Sequence, residues 1–194
     1  MVLYNLKNIF MKTRKFLSVA FFALAFGFSS FAQKTVMVGG APMYPTKNII
    51  ENAVNSKDHT TLVAAVKAAG LVETLQGKGP FTVFAPTNAA FDKLPKGTVE
   101  TLLKPENKKM LQTILTYHVV AGKMNAADIA KAIKVGKGKA TLKTVSGGTL
   151  TAWMKGRKLY ITDEKGAMAK VTIADVNQSN GVIHVVNSVL LPKA

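Results

Sequence analysis

Helical periodicity crowds the first half of this 194-residue chain, and short β-rich runs separated by glycine-containing dipeptides fill its last third. Together these predict an α+β fold with an antiparallel sheet rather than an alternating α/β domain. A third observation bounds the class: 48% hydrophobic against 19% charged residues is enough apolar side chain for a packed core and excludes wholesale disorder. The length favours one domain.

The chain opens on an export signal. Lys12, Arg14 and Lys15 precede an apolar run from Phe16 to Phe28, then Ser29-Ser30-Phe31-Ala32. Small residues at Ser30 and Ala32 predict cleavage between Ala32 and Gln33. The run has 13 residues, short of the ~20 needed to span a bilayer. Residues 1–32 therefore read as a signal peptide, with Met11 an alternative initiator, and no transmembrane span is expected after cleavage. Export to the periplasm or the medium is the expected localisation.

Residues 33–45 contain Gly39-Gly40, Pro42 and Pro45, too much punctuation for a long element, and read as an N-terminal arm or linker. From Asn48, Ile49, Ile50, Ala53 and Val54 fall at helical spacing. Thr60-Thr61 open a second helix with Leu62, Ala65, Val66 and Ala69 on one face, and Gly70 is its C-cap. A short helix over Leu71 to Leu75 precedes a loop and the strand Phe81 to Ala85. Pro86 ends the strand, and Thr87 or Asn88 caps a helix carrying Ala89, Ala90, Phe91 and Leu94. Helical segments follow over Thr98 to Leu103 and Pro105 to Leu115, the second with Pro105 and Glu106 in its first turn. Thr116 to Val120 switches to β-formers, and a helix from about Asn125 to Ile133 leads into a Lys/Gly-rich loop. The β-rich runs are Thr141 to Val145, Thr149 to Met154, Lys158 to Thr162, Met168 to Ala174 and Val182 to Leu190. Gly147-Gly148, Lys155-Gly156 and Lys165-Gly166 lie between the first four.

Three blocks within this pattern carry a family signature. Gly79-Pro80-Phe81-Thr82-Val83-Phe84-Ala85-Pro86-Thr87-Asn88-Ala89-Ala90-Phe91 resembles the first block of fasciclin domains. Thr116-Tyr117-His118-Val119-Val120-Ala121-Gly122 resembles their tyrosine–histidine block, and Asn180 to Pro192 (NGVIHVVNSVLLP) their second block. The resemblance spans residues 46–193. It implies a wedge of two β-sheets with several helices packed at one side, and a secreted adhesion or interaction module without catalysis. It also implies Tyr117 and His118 as candidate binding residues, because that block is associated with adhesion. Asn187 stands where many members carry an aspartate, which implies a kept but weaker contact there.

The residues themselves add a physical reading. Phe81, Val83 and Ala85 alternate with Thr82 and Phe84, yet both faces are largely apolar, as in a strand covered on both sides. Val182, His184, Val186 and Ser188 share one face of the last run, with Ile183, Val185, Asn187 and Val189 on the other. On a strand, Tyr117 and His118 would point to opposite faces and could not form one catalytic pair.

Chemistry is sparse. Zero cysteines exclude a disulfide scaffold, a thiol nucleophile and a Cys-based metal site. The three histidines, His59, His118 and His184, are isolated, and no zinc-ligand spacing occurs. His118 and His184 read as hydrogen-bonded strand residues and His59 as exposed at a helix entrance. Asp163-Glu164 reads as a solvated hairpin tip. No nucleophile elbow or phosphate loop is present, so an enzyme is not expected, nor a cofactor or a metal.

The charge is uneven: 26 Lys+Arg against 10 Asp+Glu give +16. Residues 1–32 hold four basic residues and no acidic one, which leaves +12 on residues 33–194. Such a surface points to an anionic partner at the cell surface or in a matrix. The candidate contacts are Lys131, Lys134, Lys137 and Lys139 in the adaptable Lys/Gly loop, with Lys155, Arg157 and Lys158 as a second cluster if the fold brings them near. The plainer reading is a solvated basic face. Aromatics among these are few, Trp153 and Tyr160, so nucleic acid is not expected. The expected protein is a monomer that binds a cell-surface or matrix protein or an anionic polysaccharide. The alternative is a carrier or structural envelope protein holding a small lipophilic ligand.

Overall fold

The computed structural model describes residues 35–193; the expected signal peptide and both candidate initiators lie outside them. Strands β1 (Val36–Val38) and β2 (Ala41–Met43) form a hairpin. Helices α1 (Ile49–Ala53), α2 (Thr60–Ala69) and α3 (Val72–Gln76) follow, then β3 (Phe81–Pro86). Next come α4 (Asn88–Phe91), α5 (Thr98–Leu102), α6 (Lys108–Tyr117), β4 (Val119–Ala121) and α7 (Ala126–Val135). The chain ends in β5 (Lys139–Lys143), β6 (Thr149–Lys155), β7 (Lys158–Thr162), β8 (Met168–Gln178) and β9 (Gly181–Val186).

Within the segment 33–45, expected to be an N-terminal arm or linker, Val36–Val38 and Ala41–Met43 pair as a two-stranded sheet. Gly39 and Gly40 both have positive φ, 57° and 76°, as the central residues of a type I′ turn require. Val38 and Met43 drop into the core beside Ile49, and Pro42 is tolerated because the hairpin has free edges.

The α+β class holds, but the large sheet is mixed and not antiparallel. Its seven strands run β4-β3-β9-β8-β7-β6-β5, and β3 pairs parallel with β9 from Phe81↔Gly181 to Pro86↔Val186. Long β8 joins the two arms of the wedge: Met168–Lys170 pairs with β7, and Val171 onward pairs with β9 through two register shifts. Bulges of this kind bend and twist a strand. The sheet edges then meet at one bridge, Val120↔Thr144, reinforced by Val145 N–H donating to the Val119 carbonyl at 2.8 Å.

Two cores lie on either side of the central strands. Val83, Ala85, Ile183 and Val185 pack under α1, α2, α3 and α6. Phe84 and Val186 face the other way, into the space enclosed by β5–β8 and closed by Ile129 and Ile133 of α7. The two-sided apolar pattern of both runs is thereby explained. The last strand ends at Val186, earlier than its sequence suggests, because Asn187 turns to accept from the Lys170 amide at 2.8 Å.

Further boundaries differ: β5 begins two residues earlier than expected, at Lys139, and β8 runs four residues further, to Gln178, because it continues its pairing with β9. Pro105–Asn107 forms a separate 3₁₀ turn before α6, and α6 runs on through Tyr117 with His118 as its C-cap. The β-forming composition of Thr116 to Val120 is overridden by a helical stripe: Leu111 and Leu115 bury in the core under the helices, and Ile114 in a smaller cluster with Ala90 and Val189.

Candidate functional site

The three family blocks converge at the centre of the sheet. Phe81 pairs with Gly181 in β9 and with Ala121 in β4, and the Phe84 amide donates to the His118 carbonyl at 2.9 Å. A Cβ on Gly181 would lie 2.2 Å from the Phe81 carbonyl oxygen, so only glycine allows this approach. Asn180 fixes the helices to the sheet: its Oδ1 accepts from the Ile49 amide at 3.1 Å, and its Nδ2 donates to the carbonyls of Leu75 at 2.7 Å and Gly77 at 2.9 Å.

Tyr117 and His118 sit within this centre, on a helix end and not on a strand. Tyr117 is 0% exposed and His118 4%. The Tyr117 hydroxyl donates to the Thr149 carbonyl at 2.7 Å and accepts from the Glu164 amide at 3.0 Å. Its ring lies so close to Gly148 that a Cβ there would come within 2.8 Å of it. One side chain thus ties α6 to the β5–β6 and β7–β8 turns. Burial pushes its phenol up to about 12, with the Glu164 amide opposing and the Glu164 and Asp163 charges reinforcing the shift.

His118 bonds in both directions. Its Nδ1 donates to the Ile114 carbonyl at 2.8 Å and its Nε2 accepts from the Leu190 amide at 2.9 Å. A carbonyl only accepts and an amide only donates, so the neutral Nδ1–H tautomer is fixed. Burial lowers its pKa to about 4, opposed by the Ile114 carbonyl and the Asp163 charge; protonation would also set an N–H against the Leu190 N–H. His184 is the mirror case: Nε2 donates to the Met124 carbonyl at 2.9 Å, Nδ1 accepts from the Asp175 amide at 3.3 Å, and its ring stacks on Phe84. Burial lowers its pKa too, against the Met124 carbonyl and the Asp175 charge.

Two other sequence readings need correction. His59 is buried, not exposed: the 3₁₀ turn Lys57–His59 carries it inward, its Nδ1 meets Ser56 Oγ at 2.9 Å, and burial lowers its pKa. The Asp163-Glu164 tip is only half solvated. Asp163 is buried; its Oδ1 accepts from the amides of Lys165 and Ala167, and its Oδ2 from that of Leu191 at 2.9 Å. The carboxylate both closes the β7–β8 turn and pins the C-terminal segment. Glu164 accepts from the Lys193 and Thr149 amides, which lower its pKa.

The four candidate lysines expected in a Lys/Gly loop are all exposed but do not share one: Lys131 and Lys134 lie on α7, Lys137 in the turn after it and Lys139 at the start of β5. Gly136 is packed so tightly that a Cβ would meet the Lys139 carbonyl at 1.9 Å, which makes the connection a fixed turn. Lys131 and Lys139 share a groove between α7 and β5 that also contains Asp128 and Val135; Lys134 and Lys137 do not line it. Lys139 also faces outward on β5, opposite Trp153 of β6. Among the described residues no group of three or more His, Asp or Glu is placed to hold a metal ion, and no helix is long and apolar enough to cross a membrane.

This architecture and these blocks define a fasciclin domain, and a family model of that description matches residues 57–192. The chain belongs to the fasciclin domain family. It is 47% identical over 160 residues to the protein sll1483 of Synechocystis, covering 82% of each chain. It is 35% identical over 147 residues to the cell surface glycolipoprotein MPB83 of Mycobacterium bovis, covering 73% of this chain and 59% of that one. Its fold matches a fasciclin domain pair from the insect cell adhesion molecule fasciclin I with a TM-score of 0.67 at 18% identity, over 75% of this chain and 51% of that one.

Proposed function

We propose that the protein is an exported, non-catalytic interaction module that binds a macromolecule of the cell surface or of an extracellular matrix. One observation carries this reading: the chemistry-bearing side chains of the family blocks are spent on internal hydrogen bonds. His118 and His184 each place both ring nitrogens on backbone groups, and the Tyr117 hydroxyl does the same. None is left to attack, abstract or coordinate, and the solvent-facing surface remains as the working part. Relatives described as a cell surface glycolipoprotein and a cell adhesion molecule support the same direction. A direct contact through Tyr117 or His118 would require the fold to open over them.

The carrier alternative has less support. The apolar cavity beside Leu62, Val66 and Leu115 holds about 80 Å³, whereas pockets for small organic ligands usually run from about 300 Å³ upward.

Two measurements test the proposal. The exported protein should begin at Gln33 on N-terminal sequencing, and an uncleaved chain in the envelope would contradict the signal-peptide reading. Purified protein should bind washed envelope or matrix material saturably; no saturable binding under any salt condition would exclude the module.

A further inference from the structure

The outer face of β5–β8 is a surface whose composition the fold does not require. Residues 139, 153, 160 and 170 fall into one row across the four strands through the pairs Lys139↔Trp153, Trp153↔Tyr160 and Tyr160↔Lys170. At a strand spacing of about 4.8 Å this row is ~14 Å long. Trp153 and Tyr160 stack at 4.8 Å and 19°, half-buried, with Trp153 Nε1 donating to Thr162 Oγ1 at 2.9 Å. On one side lies a row of threonines, Thr141↔Thr151↔Thr162. On the other, Lys155 stands directly opposite Lys158, with Arg157 in the turn between them. The core cluster under this sheet arm lies on its opposite face, and β5, β6 and β7 contain no acidic residue.

We infer that this face binds an acidic polysaccharide, a partner class that rests on the interaction-module reading above. Cross-strand stacking alone would account for the aromatic pair. It does not account for cations at both ends of its row, nor for two lysines set directly opposite each other. Like charges at that position oppose folding, so the arrangement serves something other than the stability of the hairpin. A chain of carboxylate- or sulfate-bearing sugars supplies the missing charge. The threonine hydroxyls both donate and accept, as sugar hydroxyls do, and the aromatic ridge offers apolar surface to the ring carbons. Nucleic acid fits less well, because the two rings stack on each other and present no separate platforms for successive bases.

Trp153 is the single tryptophan of the chain and therefore reports on this face alone. Titration with polygalacturonate, with dextran sulfate as a second probe, should change its emission saturably and reduce its quenching by iodide about twofold or more. The affinity should fall as salt rises. Lys155→Gln with Lys158→Gln should weaken binding by about tenfold without lowering the melting temperature, and Lys104→Gln, Lys108→Gln and Lys109→Gln together should leave it within about twofold. Binding with no change at Trp153 would place the polymer elsewhere and overturn the inference while leaving the module intact. Tighter binding of poly(dT) than of either polysaccharide would also overturn it, in favour of nucleic acid. If the protein binds envelope material but neither polysaccharide, this face is not a glycan site; if it binds no envelope material, the module reading itself falls.

Discussion

The centre of the sheet and its outer arm face opposite demands. All six residues of β9 are buried, with helices on one side and the wrapped sheet on the other. In β5 exposed and buried residues alternate strictly. A strand covered on both faces has no position whose identity is free. It also draws polar neighbours such as His118, Asn180 and His184 into fixed hydrogen bonds, since a buried polar group without a partner is costly. A strand covered on one face needs only its inner residues for folding. The family signature therefore marks where the domain is built, and the outer arm is where folding leaves side chains free.

The sharpest way to break this contrast is at the contact between the first and last blocks. Gly181→Ala would force a Cβ to within 2.2 Å of the Phe81 carbonyl in a parallel pair that cannot separate without opening both cores. A loss of about 4 kcal/mol or more is expected in urea denaturation, or failure to fold. A cost under about 1 kcal/mol would mean that the central strands shift readily, and the contrast would collapse.

Acid should discriminate the two regions next. With its folded pKa at about 4 against an ordinary 6.5, His118 stays neutral in the native protein while the unfolded chain takes up the proton first. Its contribution is complete above pH 6.5 and is lost as the pH falls toward 4, amounting to about 3 kcal/mol. His184 and His59 shift in the same direction. Urea midpoints measured from pH 7.5 to 4 should fall accordingly. His118→Ala should cost about 1–3 kcal/mol at neutral pH and flatten the acid slope; an unchanged slope would remove His118 from the account.

Tyr117→Phe deletes one hydroxyl and leaves the Thr149 carbonyl and the Glu164 amide without it, for an expected loss of about 1–3 kcal/mol. The native phenol keeps its proton up to about pH 12, whereas an unfolded one loses it near 10. Stability of the parent should therefore decline as pH rises past 10, and the Phe variant should lack that component. Calorimetry at pH 7 and pH 11 checks both.

Much of this centre was legible because its signals are local and strong. The two-faced apolar pattern of Phe81 to Ala85 and of Val182 to Val186 marked covered strands, and Gly70 marked the end of α2, where it adopts φ 71°. The parallel pairing of β3 with β9 was not legible, because it joins segments 100 residues apart and periodicity carries no register between strands. Tyr117 and His118 were misplaced because their local composition favours a strand while tertiary burial of Leu111 and Leu115 extends the helix. Asp163 looked solvated because its third partner, the Leu191 amide, arrives from 28 residues away. The Gly39-Gly40 hairpin did carry a signal, two consecutive glycines between β-branched and apolar residues, which the nearby prolines masked.

The smallest expected effect is the most telling about the outer arm. Lys155 and Lys158 are exposed and face each other across the β6–β7 hairpin, so replacing both by glutamine removes a repulsion and no buried contact. Stability should stay within about 0.5 kcal/mol and should move upward if it moves at all. The gain should shrink in high salt, because screening already weakens the repulsion in the parent. If the double variant is clearly less stable, these lysines hold the hairpin and its charge needs no partner to explain it. If it is as stable or more so and has lost its hold on a polyanion, the outer arm carries a charge arrangement that folding opposes and binding uses. In the centre of the sheet, by contrast, each polar side chain serves the fold itself.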